Sequence, residues 1–352
     1  MPQGTWSPMV DRTPYHSEDQ YTMHLPRPQG PAARLALAIG ISAALSACAA
    51  PKRIVAFGDI HGDLEATRSA LRIAGAIDDD DRWIGGELIV VQTGDQLDRG
   101  DNEQAILDLF ERLRVEAEAA GGAVHALLGN HELMNVSGDL RYVTKGGFAD
   151  FADAVEYDPD DPSLAAFAPN ERARMAALRP GGPYALLLAK RDVILQLDGN
   201  VFVHGGVLPQ HVAYGIDRIN EEAREWLRGE AERPLILDGE DSPQWVRLYS
   251  REPDSLACEV LGQALELLDA KRMVMGHTVQ GAGITSACDA QAWRIDVGMA
   301  TYYGGHVQVL EIVGDSVRVL RPMTTGERAP EGTAAPAGRA ARAAPAGIPR
   351  RQ

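Results

Sequence analysis

The sequence predicts an α/β fold, and three observations carry that prediction. First, five apolar runs each lead into a glycine-flanked Asp, Asn or His. Residues 53–57 precede Gly58-Asp59-Ile60-His61-Gly62, and residues 88–91 precede Gly94-Asp95-Gln96-Leu97-Asp98-Arg99-Gly100. Residues 124–128 precede Gly129-Asn130-His131-Glu132, residues 200–203 precede His204-Gly205-Gly206, and residues 273–275 precede Gly276-His277-Thr278. Second, 36 residues separate Asp59 from Asp95 and 35 separate Asp95 from Asn130, each enough for one strand–helix–strand unit. Third, helical periodicity fills the gaps: Leu64, Leu71, Ile73 and Ile77 in one, and residues 101–119 with Ile106, Leu109, Phe110 and Leu113 on one face in the other. One Asp–His pair is usually just solvated. Five polar sets at the carboxyl ends of strands mark the edge where open α/β sheets bind ligands.

The chain has 352 residues, 45% apolar and 24% charged, which is ordinary for a globular protein. Its net charge of −16 argues against nucleic-acid binding and against docking on anionic lipid through a basic patch. Residues 1–22 lack periodicity and are read as disordered, or as a mis-assigned start with Met23 as the alternative. Residues 23–34 form a basic stretch, and 35–47 an apolar run of 13 residues, the length of a signal h-region and too short to span a bilayer. Leu45-Ser46-Ala47-Cys48 resembles the lipobox of bacterial lipoproteins. A signal peptide over 23–48, a lipid on Cys48 and a place in the cell envelope on the periplasmic side follow from that resemblance. An ordinary cleaved signal or a short buried helix leaves the basic flank and the placed Cys unexplained.

The globular pattern runs over 52–322. Asp78 to Asp81 read as a solvated loop, because a calcium loop needs spaced ligands. Residues 133–185 interrupt the strand rhythm with two proline-rich breaks and form a candidate substrate-selecting cap. Residues 216–229 read as a helix, and 230–255 as a second insertion. Residues 292–297, 306–313 and 316–321 alternate and suggest a closing antiparallel meander. Residues 324–352 are an Ala, Pro, Gly and Arg tail without hydrophobic pattern, read as disordered. Cys258 and Cys288 are read as two buried thiols, since Cys258 lies on an apolar helical face, with pairing as the alternative.

Taken together, the five glycine-flanked blocks resemble the signature blocks of the calcineurin-like metallophosphoesterases, in particular the phosphoprotein phosphatase branch. Met134-Asn135 and Gly138-Asp139-Leu140-Arg141-Tyr142-Val143 resemble the bacterial Shewanella-like phosphatases within it. The resemblance implies two packed mixed β-sheets flanked by helices, with two divalent ions at one edge, about 3.5–4 Å apart. It implies Asp59, His61 and Asp95 as ligands of the first ion, Asp95 as the bridge, and Asn130, His204 and His277 as ligands of the second. Mixed N and O donors suit Mn, Fe or Zn. The resemblance further implies in-line attack of a metal-bridging hydroxide on phosphorus. His131 protonates the leaving oxygen, Asp98 orients His131, and Arg99 grips the phosphate. Arg247, in Trp245-Val246-Arg247, is a second clamp by likeness to a Trp-x-Arg segment of a related phage phosphatase. Arg251 is the alternative clamp or a solvated surface residue. Asp63, Glu132 and Arg141 either support the ligands and substrate or are structural.

A phosphomonoesterase acting on phosphoprotein or on a small phosphate ester is the function implied. The alternatives are hydrolysis of dinucleoside polyphosphates, phosphate-ester scavenging in the envelope, and a lipid-anchored binding protein on an inactive scaffold. Intact blocks argue against the last, because unfilled metal ligands destabilise a fold.

Overall fold

The computed structural model describes residues 51–322. The expectations for 1–22, 23–48 and 324–352 lie outside the described residues. The first half follows the strand–helix rhythm: β1 (Arg53–Phe57), α1 (Leu64–Ala74), β2 (Ile89–Gln92), α2 (Glu103–Ala119) and β3 (Ala123–Ala126). Four short helices follow: α3 (Asn130–Val136), α4 (Lys145–Asp150), α5 (Arg172–Leu178) and α6 (Pro183–Leu188). The second half contains β4 (Ile194–Leu197), β5 (Asn200–Val203), α7 (Pro209–Tyr214), α8 (Ile216–Leu227), α9 (Ser255–Leu267), β6 (Arg272–Met275), β7 (Thr285–Ala287), β8 (Ala292–Arg294), β9 (Val309–Val313) and β10 (Ser316–Leu320).

The strands make two five-stranded mixed sheets, in the orders β10-β9-β1-β2-β3 and β4-β5-β6-β8-β7. In the first, parallel β1, β2 and β3 run out to the β3 edge while the antiparallel β9–β10 hairpin closes the other side; in the second, parallel β5, β6 and β8 lie at the centre between antiparallel β4 and β7. Central strands are buried on both faces, which is why they read as continuous apolar runs. The two-residue side-chain period assigns the layers. Val201 and Val203, with Met273 and Met275, face one cluster under α8 and α9, whereas Phe202 and Val274 turn into the other, shared with β1, β2, α1 and α2. The result is helices, sheet, sheet, helices, with the carboxyl ends of β1, β2, β5 and β6 converging. Among the described residues no helix is long and apolar enough to cross a membrane.

Two expectations are corrected. The final strands do not form one meander. β8 pairs parallel to β6 in the second sheet, while β9 and β10 form a hairpin in the first. The segment between β8 and β9, with Gly298 at φ 60°, carries the chain from one sheet to the other, and alternation cannot show which sheet a strand joins. Cys258 and Cys288 are not free thiols but a disulfide, with Cα atoms 5.2 Å apart. The face of α9 that bears Cys258 is only half-buried, so its thiol meets the β7–β8 turn instead of the core.

This disulfide closes a segment of sequence separation 30, and loop-closure entropy gives it a stabilisation of about 3.6 kcal/mol. Reduction, or Cys258→Ser with Cys288→Ser, is expected to lower unfolding free energy by that amount in a urea titration. An unchanged midpoint would show the bridge to be energetically idle.

Candidate active site

Each strand end delivers its polar group through a tight turn. His61, Asp95, Asp98, Arg99 and His277 all have positive φ, between 40° and 68°. Such residues store strain and persist where surrounding structure over-determines them. Gly276 is required by packing: a Cβ there would lie 2.5 Å from Oδ1 of Asp59. Backbone amides lock the turns together. His61 N–H donates to the Asp95 carbonyl at 3.0 Å, and His277 N–H donates to Asp59 Oδ1 at 3.1 Å. The Glu132 carboxylate accepts from the amides of Asp95, Gln96, Leu97 and Gly129 at 2.7–3.1 Å and so shapes the loop that carries Asp95.

All six expected ligands meet in one buried cluster. His61 Nε2 lies 3.9 Å from both Asp59 Oδ2 and Asp95 Oδ2. His204 Nε2 lies 3.2 Å from Asp95 Oδ2 and 2.9 Å from Asn130 Oδ1. Ligand atoms of Asp95, His204 and His277 lie within 4.8 Å of one another, and so do those of His61, Asp95 and His131. Burial pushes His61 down to about 3 and His277 down to about 2, which keeps both imidazoles neutral. Burial alone would raise Asp95, but the histidines around it hold its carboxyl well below the usual range. Burial, then Asp296 and Asp95, raise Asp59.

The donor chemistry fits a cation. His204 Nδ1 faces the Thr93 carbonyl at 2.9 Å and His61 Nδ1 faces that of Leu97 at 3.0 Å, so in both rings Nε2 turns its lone pair into the cluster. Asp95 Oδ2, Asn130 Oδ1 and His204 Nε2 then converge as acceptors, and His277 Nε2 is buried without a partner. A divalent ion satisfies such a set, as neutral imidazole and carboxylate oxygen require.

His131 stands beside this cluster, with Nε2 3.8 Å from Asp95 Oδ2 and Nδ1 2.5 Å from Asp98 Oδ2. Burial lowers its pKa, but Asp95 and Asp98 outweigh burial and the net shift is upward. The arginines flank the cluster on two sides. Arg99 Nη1 lies 3.2 Å from His61 Nε2, and its guanidinium sits 5.1–5.6 Å from the ring centres of Tyr142, Tyr302 and Tyr303. Arg247 donates to the His277 carbonyl and to Thr278 Oγ1 at 2.8 and 2.9 Å.

Sequence and fold now meet in one family. Residues 52–281 match the calcineurin-like phosphoesterase family model. The chain belongs to the calcineurin-like phosphoesterase family. This calcineurin-like phosphoesterase is a hydrolase of phosphoester bonds that uses divalent metal ions. It is 44% identical over 303 residues to Shewanella-like protein phosphatase 2 of Arabidopsis thaliana, covering 77% of this chain and 78% of that one. It is 29% identical over 282 residues to Shewanella-like protein phosphatase 1 of Plasmodium berghei (strain Anka), covering 76% and 74%. Its fold is similar to that of the cold-active protein-tyrosine phosphatase of a psychrophilic Shewanella species, with TM-score 0.60 over 77% of this chain and 81% of that one at 23% identity.

Three further expected residues are placed as follows. Asp63 caps α1 through Ala66 N–H and holds Thr301, Glu132 shapes the Asp95 loop, and exposed Arg141 pairs with Asp139 and lies over Tyr142, whose ring is 5.2 Å from that of His131. Three buried residues go unnoticed in the sequence reading, and a fourth, Asn135, is quoted there only as part of a family motif. Asp296, whose carboxyl burial pushes up to about 6, contacts Asp59. Its signal was present, since Ile295-Asp296-Val297-Gly298 again ends an apolar run with Asp and Gly. Behind Asp98 lie Asn135, Glu103 and Arg174. Asn135 Nδ2 donates to Asp98 Oδ1 at 3.0 Å, and Glu103 accepts from the Asp98 amide. Arg174, fully buried on α5, donates to Asn135 Oδ1 at 2.8 Å and pairs with Glu103. Nothing in the short helix sequence distinguishes Arg174 from a surface arginine.

Arg174→Met leaves the Glu103 carboxylate buried and unpaired, a loss of about 3–5 kcal/mol. Adding Glu103→Gln removes that charge and is expected to recover more than half of the loss in urea denaturation. Equal losses in the single and double variants would show that the pair does not carry the effect.

Proposed function

We propose that the chain is a metal-dependent protein phosphatase with a dinuclear centre. The observation that carries this reading is His131, held by Asp98 beside a cluster of metal ligands that Arg99 and Arg247 contact at His61 and His277. Asp59, His61 and Asp95 would hold one ion, and Asp95, Asn130, His204 and His277 would hold the other, with Mn, Fe or Zn the metals that suit these donors. Bound divalent ions polarise phosphoryl oxygens and lower the pKa of water towards about 7.

The chain's own residues do the rest. The Arg99 and Arg247 guanidiniums reach phosphoryl oxygens from two sides, where planar forks bind best. Asp98 accepts the Nδ1 proton of His131 and, with Asp95, favours the doubly protonated ring, so Nε2 also carries a proton and faces the cluster. As water adds to phosphorus and the phosphorus–oxygen ester bond breaks, Nε2–H gives its proton to the leaving oxygen. The tyrosines around Arg99 hold its guanidinium against the mouth of the site. Names of the relatives support a phosphorylated protein as substrate.

The full chain is expected to release phosphate from phosphotyrosine or phosphoserine peptides only with manganese, and not as Asp95→Asn. Cleavage of diadenosine tetraphosphate alone would replace this reading with a dinucleoside polyphosphate hydrolase. His131→Asn is expected to lower kcat by about 10²–10⁴ while metal content, measured by mass spectrometry, stays at the native level. Loss of metal together with activity would make His131 a ligand instead.

For location, we propose a periplasmic-side enzyme held to the envelope through lipidated Cys48. The Cys258–Cys288 disulfide supports this, because such bridges persist in oxidising compartments. Cys48→Ala is expected to move the enzyme from membrane to soluble fractions; unchanged fractionation would refute the anchor.

A further inference from the structure

The surface beyond Arg247 carries charge that the metal site does not use. The Arg251 amide donates to the Arg247 carbonyl at 3.0 Å, closing one helical turn, so both side chains lie on the same face. Arg247 donates only to uncharged acceptors, His277 O and Thr278 Oγ1. Arg251 is exposed, and among the described residues its side chain makes no hydrogen bond and no ion pair. Neither guanidinium makes an ion pair among the described residues, so each is able to take an anion.

Both arginines line a groove of about 530 Å³. Its apolar lining includes Leu208, Trp245 and Leu248, the last 44% exposed. The Trp245 ring, which lines the groove, also meets the His277 ring edge-on at 5.5 Å, so the groove lies next to the ligand cluster. Glu240 and Asp241 also line it, both exposed.

We propose that this groove binds the peptide segment flanking the phosphorylated residue, and that Arg251 selects an acidic side chain on that segment. The proposal rests on the protein phosphatase reading. The geometry sets the position. With the phosphoryl group at Arg247, Arg251 is one turn further, about 5–6 Å between Cβ atoms. An extended peptide advances about 3.3 Å per residue, so the selected acid lies one or two residues from the phosphorylated one. Leu208, Trp245 and Leu248 cover the intervening side chain. Glu240 and Asp241 repel a uniformly acidic segment, so the groove reads one placed acid and not overall negative charge.

The test uses the manganese-loaded full chain and phosphotyrosine and phosphoserine peptides that differ only in carrying Glu, Ala or Lys at the two positions on each side. The readout is the ratio of kcat/KM for the Glu peptide over the Ala peptide. A solvent-exposed ion pair gives a ratio of about three to five, decreasing at high salt. Arg251→Ala brings it to about one, Arg251→Lys keeps most of it, and Arg251→Glu turns the preference to Lys. A ratio of one in the native enzyme, or one that Arg251 variants leave unchanged, overturns the subsite while the protein phosphatase reading stands. Hydrolysis of p-nitrophenyl phosphate with no hydrolysis of any peptide overturns both.

Discussion

Asp59, Asp95 and Asp296 are buried in one cluster with the imidazoles of His61, His204 and His277, and the arrangement of the whole site follows from that. Carboxylates out of water repel one another unless positive charge or a shared proton intervenes. Here the rings turn lone pairs inward as well, so a cation is what makes the cluster coherent. Holding it open for a cation requires the surrounding backbone to be rigid. Five turn residues at positive φ, the four amides gathered by Glu132, and two sheets packed face to face supply that rigidity.

The same logic extends outward to His131. Its ring is fixed by Asp98, and Asp98 is fixed by Asn135 and by the Glu103 and Arg174 pair. Arg174 comes from α5, inside the insertion that the sequence suggested as a substrate-selecting cap. Residues of that insertion therefore reach Asp98, the residue that holds His131. Arg174 stacks on Phe151 at 4.7 Å, so packing of the cap and orientation of the imidazole are coupled.

The metal and catalytic blocks were legible because each lies where a buried strand stops, and because a ligand-bearing turn demands glycine next to Asp, Asn or His. Spacing then recovered the parallel order of β1, β2 and β3. Short edge strands were not legible. β4 and β7 have four and three residues, too few to show a period, and each is half exposed. The sheet membership of β8 and the pairing of Cys258 with Cys288 depend on tertiary placement that local pattern does not encode. Asp296 shows the intermediate case. It obeys the same strand-end rule as the ligands but was absorbed into an alternating run.

Net charge and local charge work differently in this molecule. A chain at −16 should repel a phosphate dianion at long range. At physiological ionic strength that repulsion fades beyond about 8 Å, so an approaching ester responds to what lies within one Debye length of the site. There it meets Arg99 braced by three tyrosines, Arg247 bonded only to neutral oxygens, and a cluster built to hold cations. The acidic remainder of the surface then acts as a filter, since anions gain only where these arginines and ions are within reach.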